Sequence, residues 1–239
     1  MNRMIRIVIV VVVVGFLSAL IFYNLSHPNT PDVIAWRTEM TKGNPKKAQQ
    51  HLIMYTDLFC PYCNAFSRAL TANLADFTKE YLDSNKLYFE IRMTAQNSLI
   101  GHSKNSAPAA EAAYCAANQN HFWDFYAVML QKIYDDYYVK GIGVDRHAPK
   151  IPELDLTYFY DAAKRAKLDE AGFKTCFSEH QTKAEVDKNT QRAYQTRAGV
   201  PYFTTANQKY SISGFGGNWD LGHDYLRAKL ILNAAVDAH

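Results

Sequence analysis

Two cysteines flanking a proline and a tyrosine, Cys60-Pro61-Tyr62-Cys63, stand where an apolar, strand-like run from Leu52 to Phe59 gives way to a helical pattern. A Cys-x-x-Cys at a helix start places the first sulfur over backbone N–H groups that have no partner inside the helix. The helix dipole acts in the same direction, so the thiolate of Cys60 is favoured over its thiol. Cys63, one turn further on, is placed to attack a mixed disulfide formed at Cys60. Pro61 suits the first helical position, where its missing N–H costs nothing. The same spacing could be half of a zinc site, but such sites need a second close pair of ligands. Cys115 and Cys176 are isolated singles, so redox chemistry is expected and no metal.

The 239 residues allow one domain of ordinary size carrying a large insertion, with an anchor. An apolar content of 48% with 16 tyrosines describes a packed body. The net charge of +3 is spread among acids rather than gathered in a run, which argues against nucleic-acid binding. Arg3 and Arg6 precede an uncharged apolar stretch, Ile7 to Tyr23, that reads as a membrane-targeting segment. Its exit, Tyr23-Asn24-Leu25-Ser26-His27-Pro28, has no small-x-small cleavage pattern, so an uncleaved signal-anchor is expected over residues 1–25. The two arginines keep the N-terminus in the cytoplasm and put the rest outside. Disulfides form there.

Residues 26–50 read as a polar tether with an edge strand near Val33 to Trp36. A buried strand is expected over 51–58 and a helix from Pro61 to about Leu82, with Phe66, Leu70, Leu74, Phe77 and Tyr81 on one face. Strict alternation from Lys86 to Met93 predicts a second strand, parallel to the first. From Ser103 to Arg197 the patterns are helical: 107–118, 121–138, 155–168, 171–178 and 183–196, with 141–152 a loop. Strands resume at 200–205 and 209–213 around an Ala206-Asn207-Gln208 turn, and a last helix follows a cap at Asn218 or Asp220.

With Gly199-Val200-Pro201-Tyr202-Phe203 opening a late strand, and Ala112-Ala113-Tyr114-Cys115-Ala116-Ala117 followed by Phe122-Trp123, the chain resembles the DsbA-type thiol-disulfide oxidoreductases, in their membrane-anchored bacterial branch. The resemblance implies an α/β thioredoxin fold built from residues 51–95 and 198–239, with a large all-helical insertion over 96–197, preceded by one transmembrane helix. It implies that Cys60 is the nucleophile, Cys63 the resolving cysteine, and Val200-Pro201 a cis peptide facing them. Read alone, Pro201 is a trans proline at a strand's first residue, which sheets tolerate. Many relatives carry an acid where this chain has Met54; Asp57 is the remaining candidate for a proton relay, its plain reading being a polar strand end.

Phe59, Pro61, Tyr62, Val200 and Tyr202 are expected to line the substrate-binding face, with Phe203 filling core. His121, His147 and His180 read as solvated residues. Cys115 and Cys176 are expected to form a structural disulfide, because both lie in helices of one subdomain in an oxidising compartment; two buried free thiols are the alternative. The function expected is an extracytoplasmic dithiol oxidase that donates the Cys60–Cys63 disulfide to reduced or unfolded exported proteins, needs no cofactor beyond that disulfide and works as a monomer. The resemblance adds a membrane quinone-linked reoxidase as partner. The rivals are a reductase or isomerase with the same chemistry, and a binding or assembly module that does not turn over.

Overall fold

A computed structural model describes residues 39–238 of the chain. The signal-anchor and the edge strand expected near Val33 to Trp36 lie outside the described residues. Among those described, no helix is long and apolar enough to cross a membrane.

The expected first strand forms as β2, Gln50–Thr56. It ends where Asp57 turns the chain: Asp57 Oδ1 accepts the N–H of Phe59 at 2.9 Å and its carbonyl accepts the N–H of Cys60 at 3.0 Å. A short acidic side chain that caps its own neighbours in this way favours a turn over a ladder. Helix α1, Pro61–Ala72, follows directly. The helical pattern running on to Leu82 is not one helix. It breaks at Asn73, whose Nδ2 donates to the Ala69 carbonyl at 2.8 Å, while the Thr71 hydroxyl donates to that of Ser67 at 2.9 Å; such bonds compete with the helical ladder. A short helix α2, Leu74–Phe77, and a π-helical turn, Thr78–Leu82, complete the crossover.

Strand β3, Leu87–Met93, runs parallel to β2 with Leu52 opposite Phe89. Strand β4, Tyr202–Thr205, lies antiparallel on the other side of β2, and β5, Ser211–Ser213, antiparallel to β4. The outer edge of β3 is held by β1, Thr41–Lys42, which gives the order β1-β3-β2-β4-β5. The final helix, α9 (Leu221–Val236), is capped by Asp220, whose Oδ1 accepts the N–H of His223 at 2.7 Å.

Between β3 and β4 come α3 (Gln96–Leu99), α4 (Ser106–Ala117), α5 (Phe122–Asp136), a 3-10 turn (Tyr138–Lys140), α6 (Leu156–Arg165), α7 (Glu170–Ser178) and α8 (Lys183–Gln195). All but α3 and the 3-10 turn stand within a few residues of the expected helices. These helices do not close a separate core. Phe122, Phe159 and Phe173 belong to the same apolar cluster as Leu52, Phe66 and Phe89. Polar bonds fasten α1 to α5: Asn64 Nδ2 donates to the Leu130 carbonyl at 3.0 Å, and the Ser67 and Tyr126 hydroxyls share a bond of 2.7 Å.

The sheet's two faces differ. Leu52, Met54 and Phe203 face the main core, where the Phe66 and Phe203 rings stand 4.8 Å apart. Ile53 and Tyr55 face the other way and form a smaller cluster with Ala193 of α8, Val200 and Tyr202. Glu90, buried in β3, is bonded by His51 at 2.7 Å and Arg92 at 2.6 Å. Burial alone would raise its pKa, but these two partners carry it down to about 2. Cys115 of α4 and Cys176 of α7 are joined in a disulfide with Cα atoms 5.8 Å apart.

Candidate active site

The sheet delivers Cys60 to the mouth of a cavity and leaves Cys63 beneath it. Cys60 is the extended residue that opens α1, Pro61 occupies the first turn, and Cys63 follows inside it. Both cysteines are free thiols here, the reduced form of the pair. Cys60 makes no capping bond to the helix N–H groups; its Sγ donates instead to the Val200 carbonyl at 3.4 Å. The Val200-Pro201 peptide is cis. Cys63 is 1% exposed. Burial pushes its thiol well above the ordinary thiol range, and the hydrogen bond and charge of Cys60 push in the same direction. The two sulfurs are therefore unequal: one borders open space, the other is shielded and holds its proton.

Asp57, three residues before Cys60, is fully buried. Its two carboxylate oxygens accept the backbone N–H groups of Phe59 and Asn97, each at 2.9 Å. Desolvation outweighs these bonds and raises its pKa to about 6. Its charge is among those that raise Cys63, so the two groups sense each other.

The cavity beside Cys60 encloses about 730 Å³. Phe59, Pro61, Tyr62 and Val200 line it, Tyr62 being the most open of them at 45% exposure. Phe59 contributes only an edge, since it is otherwise buried. Tyr202 does not line the cavity. Its ring lies 5.9 Å from that of Tyr55, in the cluster that also holds Val200, and its hydroxyl accepts from Ser211 Oγ at 2.6 Å. Among the described residues no cluster of His, Cys, Asp and Glu is arranged to hold a metal ion.

A family model for thioredoxin matches residues 36–209. The chain belongs to this thioredoxin family. No curated protein matches it by sequence. Its fold is similar to that of solved thioredoxin-like structures: BdbD from Bacillus subtilis in its oxidised form (17% identity, TM-score 0.56, covering 83% of this chain and 92% of that one) and MdbA, a thiol-disulfide oxidoreductase from Corynebacterium diphtheriae (13% identity, TM-score 0.53, covering 81% and 84%). The reduced DsbA from Mycobacterium tuberculosis is also similar, at 16% identity and a TM-score of 0.51 over 84% of this chain and 98% of that one. The DsbA-type resemblance read from the sequence agrees with these thioredoxin-fold matches.

Sequence reasoning left out the far wall of the cavity. That wall is the 141–152 loop, with Ile100, His102 and Gln96 beside it. His147, read as solvated, lies on it, whereas His121 and His180 pair with Asp124 at 3.0 Å and Glu111 at 2.8 Å. The loop is braced by Asn105, whose Nδ2 donates to the Pro152 carbonyl at 2.8 Å and whose Oδ1 accepts the Leu154 N–H at 2.9 Å. Gly143 has a φ of +73°, and a Cβ there would stand 2.8 Å from the Ile151 side chain, so its turn requires glycine. The Gly141-x-Gly143 spacing is the one local sign of an ordered turn; nothing local says which surface it covers.

Proposed function

We propose that this chain is a membrane-anchored, extracytoplasmic thiol-disulfide oxidoreductase that acts as a dithiol oxidase on exported proteins. The observation that carries the reading is the inequality of the two sulfurs, with Cys60 at an open cavity and Cys63 buried as a high-pKa thiol near Asp57. In the oxidised protein a client thiolate attacks Cys60 Sγ. A client–Cys60 disulfide forms, the Cys60–Cys63 bond breaks, and Cys63 leaves as a thiolate that burial drives to take a proton. Asp57, with its pKa raised to about 6, is placed to pass that proton in. A second client thiolate then attacks the client sulfur of the mixed disulfide and releases Cys60. The client has lost two electrons and two protons, and the cysteine pair has gained the electrons.

The N-terminal apolar segment supports anchoring, with the cysteines outside the cytoplasm, and the resemblance supports reoxidation by a quinone-linked membrane partner. The reading is tested by mixing the oxidised full-length protein, in detergent, with a reduced two-cysteine peptide. Stoichiometric oxidation of the peptide, with a trapped Cys60 adduct in a Cys63→Ala variant, is the expected result. Efficient reduction of insulin by the dithiol, without peptide oxidation by the disulfide, would assign it to the reductases. Binding with no exchange at all would make it a holding module.

A further inference from the structure

The wall facing Cys60 is cationic. Its cations are Arg146 and Lys150, with the imidazoles of His147 and His102 beside them, and Asp145 is the lone carboxylate of that lining. Asp145 turns its charge into the loop, since its Oδ1 accepts the N–H groups of His147 at 2.6 Å and Ala148 at 2.9 Å. Arg146 uses only its Nε within the wall, donating to His147 Nε2 at 3.0 Å. Neither Arg146 nor Lys150 stands within ion-pair distance of a carboxylate among the described residues, but after the two backbone N–H bonds the charge of Arg146 also helps to lower the Asp145 pKa. The loop that carries them is held in shape: the Gly143 N–H bonds the Pro149 carbonyl at 2.8 Å, and Asn105 fixes its end to α4. The floor below is apolar, with Phe59, Pro61 and Ile100.

We infer that this wall selects clients whose cysteine is flanked by acidic residues. An extended peptide with its sulfur at Cys60 must place its neighbouring side chains in this cavity, over an apolar floor that takes small or apolar groups and against cations that attract carboxylates. The inference rests on the oxidoreductase reading and names the substrate class for that same site. Because the cations are exposed, each contact is modest and screened by salt, and the attraction works chiefly on the encounter rate. Two such contacts correspond to roughly a tenfold preference at low ionic strength.

The experiment compares two reduced two-cysteine peptides, identical but for Glu or Lys at the positions flanking the first cysteine, as substrates of the oxidised full-length protein. At low salt the Glu peptide should react about tenfold faster, and the ratio should fall toward one as salt is raised to about 1 M. Arg146→Gln with Lys150→Gln should erase the preference, and Arg146→Glu with Lys150→Glu should reverse it. The same peptides with Ser in place of Cys, titrated onto the reduced protein by fluorescence anisotropy, read the charge preference without any redox step. Glu tighter than Lys there supports the inference even if no oxidation is seen, a result that would sink the oxidase reading alone. Equal binding of the two peptides, or a Glu preference that survives the charge-reversed variant, overturns the inference while leaving the oxidase reading standing.

Discussion

Cys60 Sγ donates a hydrogen bond to the Val200 carbonyl at 3.4 Å; Cys60, at 5% exposure, lines the cavity, whereas Cys63, at 1%, does not. The cis Val200-Pro201 peptide, just before β4, therefore meets the reactive sulfur, and Cys60 and Val200 both line the cavity. In the reduced protein, iodoacetamide at neutral pH should label Cys60 and leave Cys63 untouched for at least ten times as long, read by peptide mass. Equal labelling of both would mean that the burial described for Cys63 does not persist in solution.

Asp57 sets a pH dependence of stability. Its folded pKa is raised to about 6 from an ordinary 3.8. Between those values the unfolded chain has released the proton and the folded protein keeps it, so stability falls as pH rises through this window. The loss is on the order of 3 kcal/mol and levels off above about pH 6. Urea unfolding of the reduced protein from about pH 4 to 7 should show this decline, and Asp57→Asn should flatten it. An unchanged slope in the variant would assign the pH dependence elsewhere.

The disulfide between Cys115 and Cys176 spans a separation of 61 residues and joins α4 to α7. Constraining a loop of that length is worth about 4 kcal/mol, a large part of a typical net stability of roughly 5 to 15 kcal/mol. Replacing both cysteines with Ala should lower unfolding free energy by about that amount, with peptide oxidation by the molecules that remain folded kept within about twofold. Loss of oxidation in a variant that is still folded would mean that the pair takes part in exchange.

How much of this was legible in the sequence depended on how local the cause was. The β2-to-α1 junction could be read because period-two and helical patterns meet at Cys60. Helix boundaries between β3 and β4 followed from apolar spacing. The break at Asn73 is also local, through side-chain bonds to the preceding turn, but an unbroken apolar stripe from Phe66 to Tyr81 hides it. Strand β1 has only two polar residues and exists because β3 offers an edge. Tyr202, expected on the binding face, packs with Tyr55 and Val200, while alternation puts Phe203 on the α1 side. The cationic wall could not be found at all, since a loop more than eighty residues beyond Cys60 is brought to it by tertiary packing, with Asn105 bonding its far end.

Tyr62 occupies the middle of the motif and is 45% exposed. A tyrosine there brings no positive charge near the sulfurs. Tyr62→His should stabilise the reduced form and raise the potential, by about 10 to 30 mV because water screens so open a site; 30 mV is about 1.4 kcal/mol for this couple. Equilibration with glutathione of both proteins side by side checks it, and a lowered potential in the variant would contradict the electrostatic argument.

The central claim is that the pair donates its disulfide, and the reduction potential of the full-length protein against a glutathione buffer tests it most directly. A disulfide donor needs a reduced pair that is more stable than its disulfide is relative to the glutathione couple, so the account predicts a potential above about −200 mV, in the range of disulfide donors. A value near −270 mV, that of a reducing thioredoxin, would contradict it.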